Sequence, residues 1–401
     1  MMKLTAEQHT RRLTQIVRGE APTAQPGQPG GALESAGAPS TRPDDILHHV
    51  DSVLKGLPSD EVGDPAEFKK ALNLLLEHAD PALKKVLAPG PVGVLDSDEL
   101  ASLEALIIPD GSRPSFLLRE GQIAANHPFL GHWAGDFAGH ATDVSRLAAC
   151  VGRIQLPDGS PASYSGTGTL VDAGQGLVLT NYHVVNHARN AFGVKMEGSG
   201  PVIKVRGDWV IDFDGESGST KRNRWRIVEV RLPTGVGESF DGIDAAVLRI
   251  EPFNSTESKL PQASVVMSSD ADFASGAAVP SLITIGFPGP PDTASAPTSA
   301  VNWNWVIGTL FNNRFGLKRV APGLVRAGVG MAAAAPAHVL THDATTFGGA
   351  SGSLLFAWKD AGRPGFALHF AGATLTDNYA VGLNSVEAAL RELGLTFQTP
   401  V

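Results

Sequence analysis

Hydrolysing an amide at neutral pH takes a nucleophile stronger than a free hydroxyl, a base for its proton, a group that holds the base, and donors for the oxyanion. Three segments of the chain supply these residue types, in the order His, Asp, Ser. In TNYHVV, His183 follows two strand-like runs, GTGTLVD and GLVLT, on a turn that can present an imidazole to a cleft. In FDGIDAAVLRIEP, Asp244 introduces an alternating run and is placed to be buried beside an imidazole, whereas Asp212 and Asp241 lie in more polar stretches. In HDATTFGGASGSLLF, small residues surround Ser351, and Gly348, Gly349 and Gly352 permit the backbone angles that turn amide N–H groups inward.

Each segment alone has a plain structural alternative: a histidine on a turn, a strand-edge aspartate, a tight glycine turn. His187 makes an HxxxH pair with His183, but the glutamate and the helical context of a zinc peptidase are missing. No metal cluster or phosphate-cradling loop stands out, so neither a metal nor any other cofactor is expected.

Together the three segments resemble the chymotrypsin-like serine peptidases, in particular the disulfide-free bacterial trypsin-like and glutamyl-endopeptidase-like members, over residues from about 148 to 397. The resemblance implies that His183 is the base, Asp244 its carboxylate and Ser351 the nucleophile. It makes the backbone N–H groups of Gly349 and Ser351 the oxyanion donors in acyl transfer through a covalent ester. The chain order also opposes an α/β-hydrolase, whose GxSxG elbow precedes Asp and then His; here Ser353 replaces the second glycine. Ala350 stands where animal trypsins carry the aspartate that pairs with a newly cut amino terminus, so no such switch is expected.

The substrate pocket implied by the resemblance is lined by Thr345 and Thr346 on one side and by His369, Phe370, Ala371 and Gly372 on the other. No aspartate occupies its floor, which disfavours cleavage after Lys or Arg, because a buried ammonium would lack a partner. His369 with Thr346 matches the residue types that receive an acidic side chain in glutamyl endopeptidases. Lys318 and Arg319, in GLKRVAPG, read as surface charges. The competing function is a protease-like scaffold that binds without cutting; the full set of parts favours the enzyme, with a protein or peptide as substrate.

These residues must be held by many short elements. From about residue 148, β-prone runs alternate with turn residues, and the chain contains 45 Gly and 28 Pro, which argues for turns over long helices. The expected fold class is mainly β: a chymotrypsin-like double β-barrel over 148–401, its two barrels meeting near 255–278, with a small N-terminal α-helical module. Residues 1–43 read as an N-terminal segment and a flexible linker, rich in Pro, Gly, Ala and Ser from residue 21. Residues 44–120 read as the helical module, with helix starts at Asp64–Pro65 and Asp80–Pro81 and a short helix at Asp96–Leu106; 121–147 read as a connector.

A net charge of −9 argues against nucleic acid and anionic membrane as partners, and the basic run Lys221 to Arg226 reads as a solvated loop. The single cysteine, Cys150, excludes an internal disulfide and reads as a buried thiol. Without a signal-like start or a long apolar stretch, the expected location is cytoplasmic. The helical module is the candidate surface for a protein partner.

Overall fold

Apolar residues at helical spacing fold the first third of the chain into four helices, α1 (Ala6–Val17), α2 (Pro43–Lys55), α3 (Pro65–Leu87) and α4 (Ser97–Leu106). The computed structural model describes residues 6–18, 42–57, 61–157, 163–198, 200–238, 241–260, 264–279, 281–290, 301–331, 336–372 and 378–398. The linker expected at 21–43 lies outside them apart from its last two residues.

The Asp64 carboxylate caps α3, accepting the Ala66 and Glu67 N–H groups at 2.8 and 3.1 Å, with Pro65 at the first helical position. A second start at Asp80–Pro81 does not occur, because α3 runs through Pro81. Its apolar stripe, Leu72, Leu75, Ala79, Ala82, Leu83 and Val86, is buried without a break, and that packing outweighs the roughly 3 kcal/mol an internal proline costs. A reciprocal capping box of Asp96 and Glu99 starts α4. The unassigned N-terminal segment contains α1, whose Leu13, Ile16 and Val17 are buried, while Arg18 donates to the Val86 carbonyl at 2.7 Å.

A two-residue strand, β1 (Phe116–Leu117), follows, and then helices α5 (Ala134–Gly139) and α6 (Ala141–Ala149) in what sequence alone left as a connector. The first sheet contains β2 (Val151–Gln155), β3 (Tyr164–Asp172), β4 (Leu177–Thr180), β5 (Lys195–Glu197), β6 (Val202–Arg206), β7 (Val210–Asp212), β8 (Arg224–Arg231) and β9 (Ala246–Pro252). Helix α7 (Tyr182–Ala191) joins β4 to β5. Because β8 pairs with both β7 and β9, the order β7–β2–β3–β4–β9–β8 closes into a six-stranded antiparallel barrel, with β5 and β6 as an outer ribbon.

After helix α8 (Ala271–Ser275), the second sheet contains β10 (Leu282–Gly286), β11 (Arg319–Gly323), β12 (Val325–Ala327), β13 (Val339–His342), β14 (Leu354–Phe356), β15 (Gly365–Ala371) and β16 (Asn378–Gly382). Helix α9 (Trp303–Leu310) interrupts it and α10 (Leu383–Arg391) follows it. The order is β1–β11–β10–β14–β15–β16–β13–β12, a curved sheet whose ends are not joined by hydrogen bonds. One closed barrel and one half-barrel give the chymotrypsin-like double-barrel fold, with N-terminal helices.

Lys318 and Arg319 are not surface charges: both are buried. Lys318 Nζ donates to the carbonyls of Ala148 and Phe213 at 2.8 and 2.7 Å, and Arg319 Nη1 to that of Ser115 at 3.0 Å, so each exchanges water for fixed acceptors between segments. Burial lowers the Lys318 ammonium below its usual range and brings Arg319 down to about 10. The basic run is no solvated loop throughout either, since Arg224 opens β8 and forms a two-point pair with Glu257 at 2.6 and 2.9 Å. Asp212, expected in polar surroundings, is fully buried and accepts the Asp214 and Asn223 N–H groups. Cys150 is buried, which pushes its thiol up to about 11. Among the described residues no helix is long and apolar enough to cross a membrane.

Candidate active site

His183 lies in the first turn of α7 and not on a β-turn, with Asn181 in extended conformation at the N-cap. Asn181 Nδ2 donates to the Asp244 carbonyl at 2.8 Å, which ties the start of α7 to the chain entering β9. The Asp244 carboxylate is buried and takes two donors from one residue: Oδ1 accepts the His183 backbone N–H at 2.9 Å, and Oδ2 meets His183 Nδ1 at 2.6 Å. A carboxylate only accepts, so the ring proton resides on Nδ1 and the Nε2 lone pair is left to act as a base. His187 follows one turn later on the same helix, so the HxxxH pair does have a helical context, contrary to expectation, though still without the glutamate. Its ring packs on Phe192 with centroids 5.0 Å apart, and the described residues contain no group of three or more potential metal ligands.

Ser351 stands in a turn closed by the bonds Ala350 N–H to Phe347 O (3.1 Å) and Ser353 N–H to Ala350 O (3.0 Å). Gly349 and Gly352 have φ of +88° and +92°, where a side chain would be strained. At Gly352 a methyl group would also overlap the Thr167 carbonyl, so the turn packs directly on β3. Thr167 is the fastener: its N–H donates to Ser351 O at 2.8 Å and its Oγ1 to Gly349 O at 2.9 Å, while its own carbonyl accepts from Thr180 Oγ1 at 2.7 Å. The first barrel thereby grips the serine turn of the second sheet next to α7. Among the described residues no acceptor takes the N–H of Gly349 or of Ser351. The Ser351 hydroxyl rests against the Phe370 carbonyl at 3.5 Å.

The end of β15 is held against this turn by the bonds Gly352 N–H to His369 O (3.0 Å) and His369 N–H to Ser353 O (2.9 Å). Phe370, Ala371 and Gly372 therefore continue past Ser351. Across from them Thr346 Oγ1 donates to Asn378 Oδ1 at 2.7 Å, and Asn378 Nδ2 donates to Ala344 O at 2.8 Å. A methyl group on Gly372 would collide with that carboxamide and lie 3.4 Å from Thr346 Oγ1, so these residues face one another across a narrow space. Thr345 instead commits its hydroxyl to the Arg113 carbonyl at 2.6 Å. His369 is buried, its Nδ1 3.1 Å from His342 Nε2; burial, with repulsion from His183 as the smaller cause, pushes it down to about 3.

Residues 166–363 match the family described as a trypsin-like peptidase domain. A probable serine protease of Lysobacter enzymogenes is 45% identical over 369 residues, spanning 92% of this chain and 92% of the relative. This chain belongs to the trypsin-like serine proteases. It is accordingly a serine peptidase, a hydrolase acting on protein or peptide substrates. Two crystal structures of the M. tuberculosis protein Rv3671c, both in an inactive form and one a serine-to-alanine mutant, align at 16% and 17% identity with TM-scores of 0.35. They cover 64% and 63% of this protease and 92% and 93% of their own chains.

In this protease three residues that sequence reasoning missed help shape the site. Asn378 opens a strand and reads as a turn residue, Thr167 lies among small β-prone residues, and Arg113 stands before a proline in GSRPS. Nothing local marks any of them, because each acts on a partner distant in the chain.

Proposed function

We propose that this trypsin-like serine protease is an endopeptidase in which Ser351 attacks the scissile carbonyl, His183 takes its proton and Asp244 orients and stabilises the imidazole. The N–H groups of Gly349 and Ser351 hold the oxyanion. The observation that carries the reading is the two-point bond between Asp244 and His183, which fixes ring position and tautomer together. The Gly349 and Ser351 amides have no acceptor among the described residues, which supports the second half, since an oxyanion hole needs donors that the ground state leaves free. In this reading the Ser351 hydroxyl leaves the Phe370 carbonyl, which it meets at 3.5 Å, and gives its proton to His183 as it attacks. His183 then protonates the leaving amine, and water repeats the sequence on the acyl-enzyme.

For specificity the reading assigns a preference for an acidic residue before the cut. Thr346 and Asn378 supply polar groups there; the buried His369 has its ring engaged by His342 Nε2 and by the Tyr379 backbone, and it meets a carboxylate only by exchanging one of these bonds. The nearby Asp343 carboxylate is bound by Arg113 and Arg326 and offers no partner to a Lys or Arg side chain. Digestion of a mixed peptide library, read by mass spectrometry with Ser351→Ala as the blank, should give cuts dominated by Glu or Asp at the residue before the cut. Cuts dominated by basic or large apolar residues would remove the acidic preference; no cuts in either sample would remove the peptidase assignment of these residues.

A further inference from the structure

We propose that Arg113, which lies outside the matched peptidase region, is a positioning residue for the substrate pocket: it pins the pocket wall Asp343–Thr346 at two points from the N-terminal third of the chain. The inference rests on the reading of Ser351 and its pocket given above.

Arg113 is buried and binds both oxygens of the equally buried Asp343 in a fork, Nε to Oδ1 at 2.6 Å and Nη2 to Oδ2 at 2.7 Å, across 230 residues of sequence. The backbone carbonyl of the same residue accepts the Thr345 hydroxyl at 2.6 Å. One arginine therefore holds both the beginning of the wall and the residue two positions on. Between them the Ala344 carbonyl accepts from Asn378, whose other end accepts from Thr346, so the fixed shape passes directly to the groups facing Gly372.

Arg113 is itself anchored. Its N–H donates to Ile107 O at the end of α4 at 2.8 Å, and its Nη1 to Ser112 O at 2.6 Å. Three residues on, β1 pairs with β11, and the Ser115 carbonyl accepts from Arg319. Asp343 also accepts the Leu324 N–H at 2.8 Å and has Arg326 at 3.5 Å, while Arg326 holds Gln15 of α1. Burial alone would raise the Asp343 carboxyl, yet the two guanidiniums hold it down at about 2, so the wall carries a fixed charge. Ala350 offers no carboxylate through which a chain terminus could order this region; the internal cation supplies that order constitutively.

The test uses the full chain. Arg113→Lys keeps the charge but loses the fork. Two rates are measured for it and for the wild type. One is kcat/KM on a good peptide and on the same peptide with glycine before the cut. The other is labelling of Ser351 by a small fluorophosphonate that leaves the pocket empty. The expected result is a fall on the order of tenfold or more in kcat/KM for the good peptide, a much smaller fall for the glycine peptide, and labelling within about threefold of wild type. If the lysine variant lacks a cooperative unfolding transition, the charge-free pair Arg113→Met with Asp343→Asn is read by the same comparison. Unchanged peptide selectivity in a folded variant, including one that merely melts earlier, overturns the proposal. Equal losses with both peptides and with the label also overturn it, because the damage would then lie in the nucleophile and not in the pocket. A wild type that neither cleaves nor labels overturns the reading of Ser351 on which the inference rests.

Discussion

The two sheets of this protease differ in how they are completed. The first barrel closes on itself through β8 and β9, and it holds His183 and Asp244 with bonds that stay within it. The second sheet carries Ser351 and the proposed pocket but remains open, and it draws its edge strand β1 and the guanidinium of Arg113 from the N-terminal third. Helix α9, inserted in that sheet, packs on the N-terminal helices, with Trp303 Nε1 donating to Asp98 at 3.0 Å. The difference teaches that the folding unit of the peptidase is larger than the segment recognisable as one: residues before 166 hold the wall proposed to meet substrate.

Among the substitutions that probe how each sheet is completed, the largest effect should come from the self-contained barrel. Asp244→Asn frees the imidazole to adopt the wrong tautomer, and peptide turnover should fall by roughly 10⁴, a magnitude borrowed from the serine-protease template. The unfolding temperature should move little by comparison, so steady-state kinetics beside thermal melts checks it. A loss below tenfold would remove Asp244 from the mechanism.

The next prediction aims at the dependence of the second sheet. Phe116 is fully buried in β1, with ring centroids of His127 and Phe137 at 5.2 and 5.4 Å. Phe116→Ala should cost about 3–5 kcal/mol in denaturant unfolding, comparable with the 2–5 kcal/mol expected of Ile211→Ala in the first barrel. Were the N-terminal third an appendage, Phe116→Ala would leave the main transition where it is.

A smaller effect is pH-dependent and belongs to the second sheet. His369 has its folded-state value depressed to about 3 from an unfolded value near 6.5, so below pH 6.5 the unfolded chain binds a proton that the folded one refuses. Its neutral burial therefore costs nothing above pH 6.5, and stability declines as pH falls from 6.5 towards 3, by at most about 1.4 kcal/mol per unit. Melts between pH 7 and 4.5 should show a shallower decline in His369→Asn than in wild type; equal slopes would contradict the assignment. The smallest change, about 1 kcal/mol, is expected for Asp64→Ala, which removes the α3 cap and is read from the denaturation midpoint.

Much of the site was legible because its chemistry lies in short contiguous motifs. TNYHVV, IDAAVL and GGASGS each carry a reactive side chain together with the turn, helix start or strand that presents it, and short β-prone runs mark β2, β3, β4, β8, β9, β10 and β15. The rest was not legible because it depends on partners far along the chain. Lys318 looks like a surface lysine until the carbonyls of Ala148 and Phe213 are brought to it, and Pro81 looks like a helix start until the buried stripe of α3 is seen to continue. His183 reads as a turn residue because α7 is short and follows a strand directly; the buried Val184, Val185 and Ala188 show a helical face only against β3. Arg113 and Asp343 are ordinary residues in their own segments and acquire a role only across 230 positions.

The central claim, that His183 activates Ser351 as the nucleophile, is tested most directly by exposing the full chain to a fluorophosphonate and mapping the adduct by peptide mass spectrometry, with Ser351→Ala and His183→Ala in parallel. The account predicts one adduct, on Ser351, that is absent in Ser351→Ala and strongly slowed in His183→Ala, together with loss of peptide turnover on the order of a millionfold in either variant. An adduct on another residue, or turnover that survives Ser351→Ala, would contradict it.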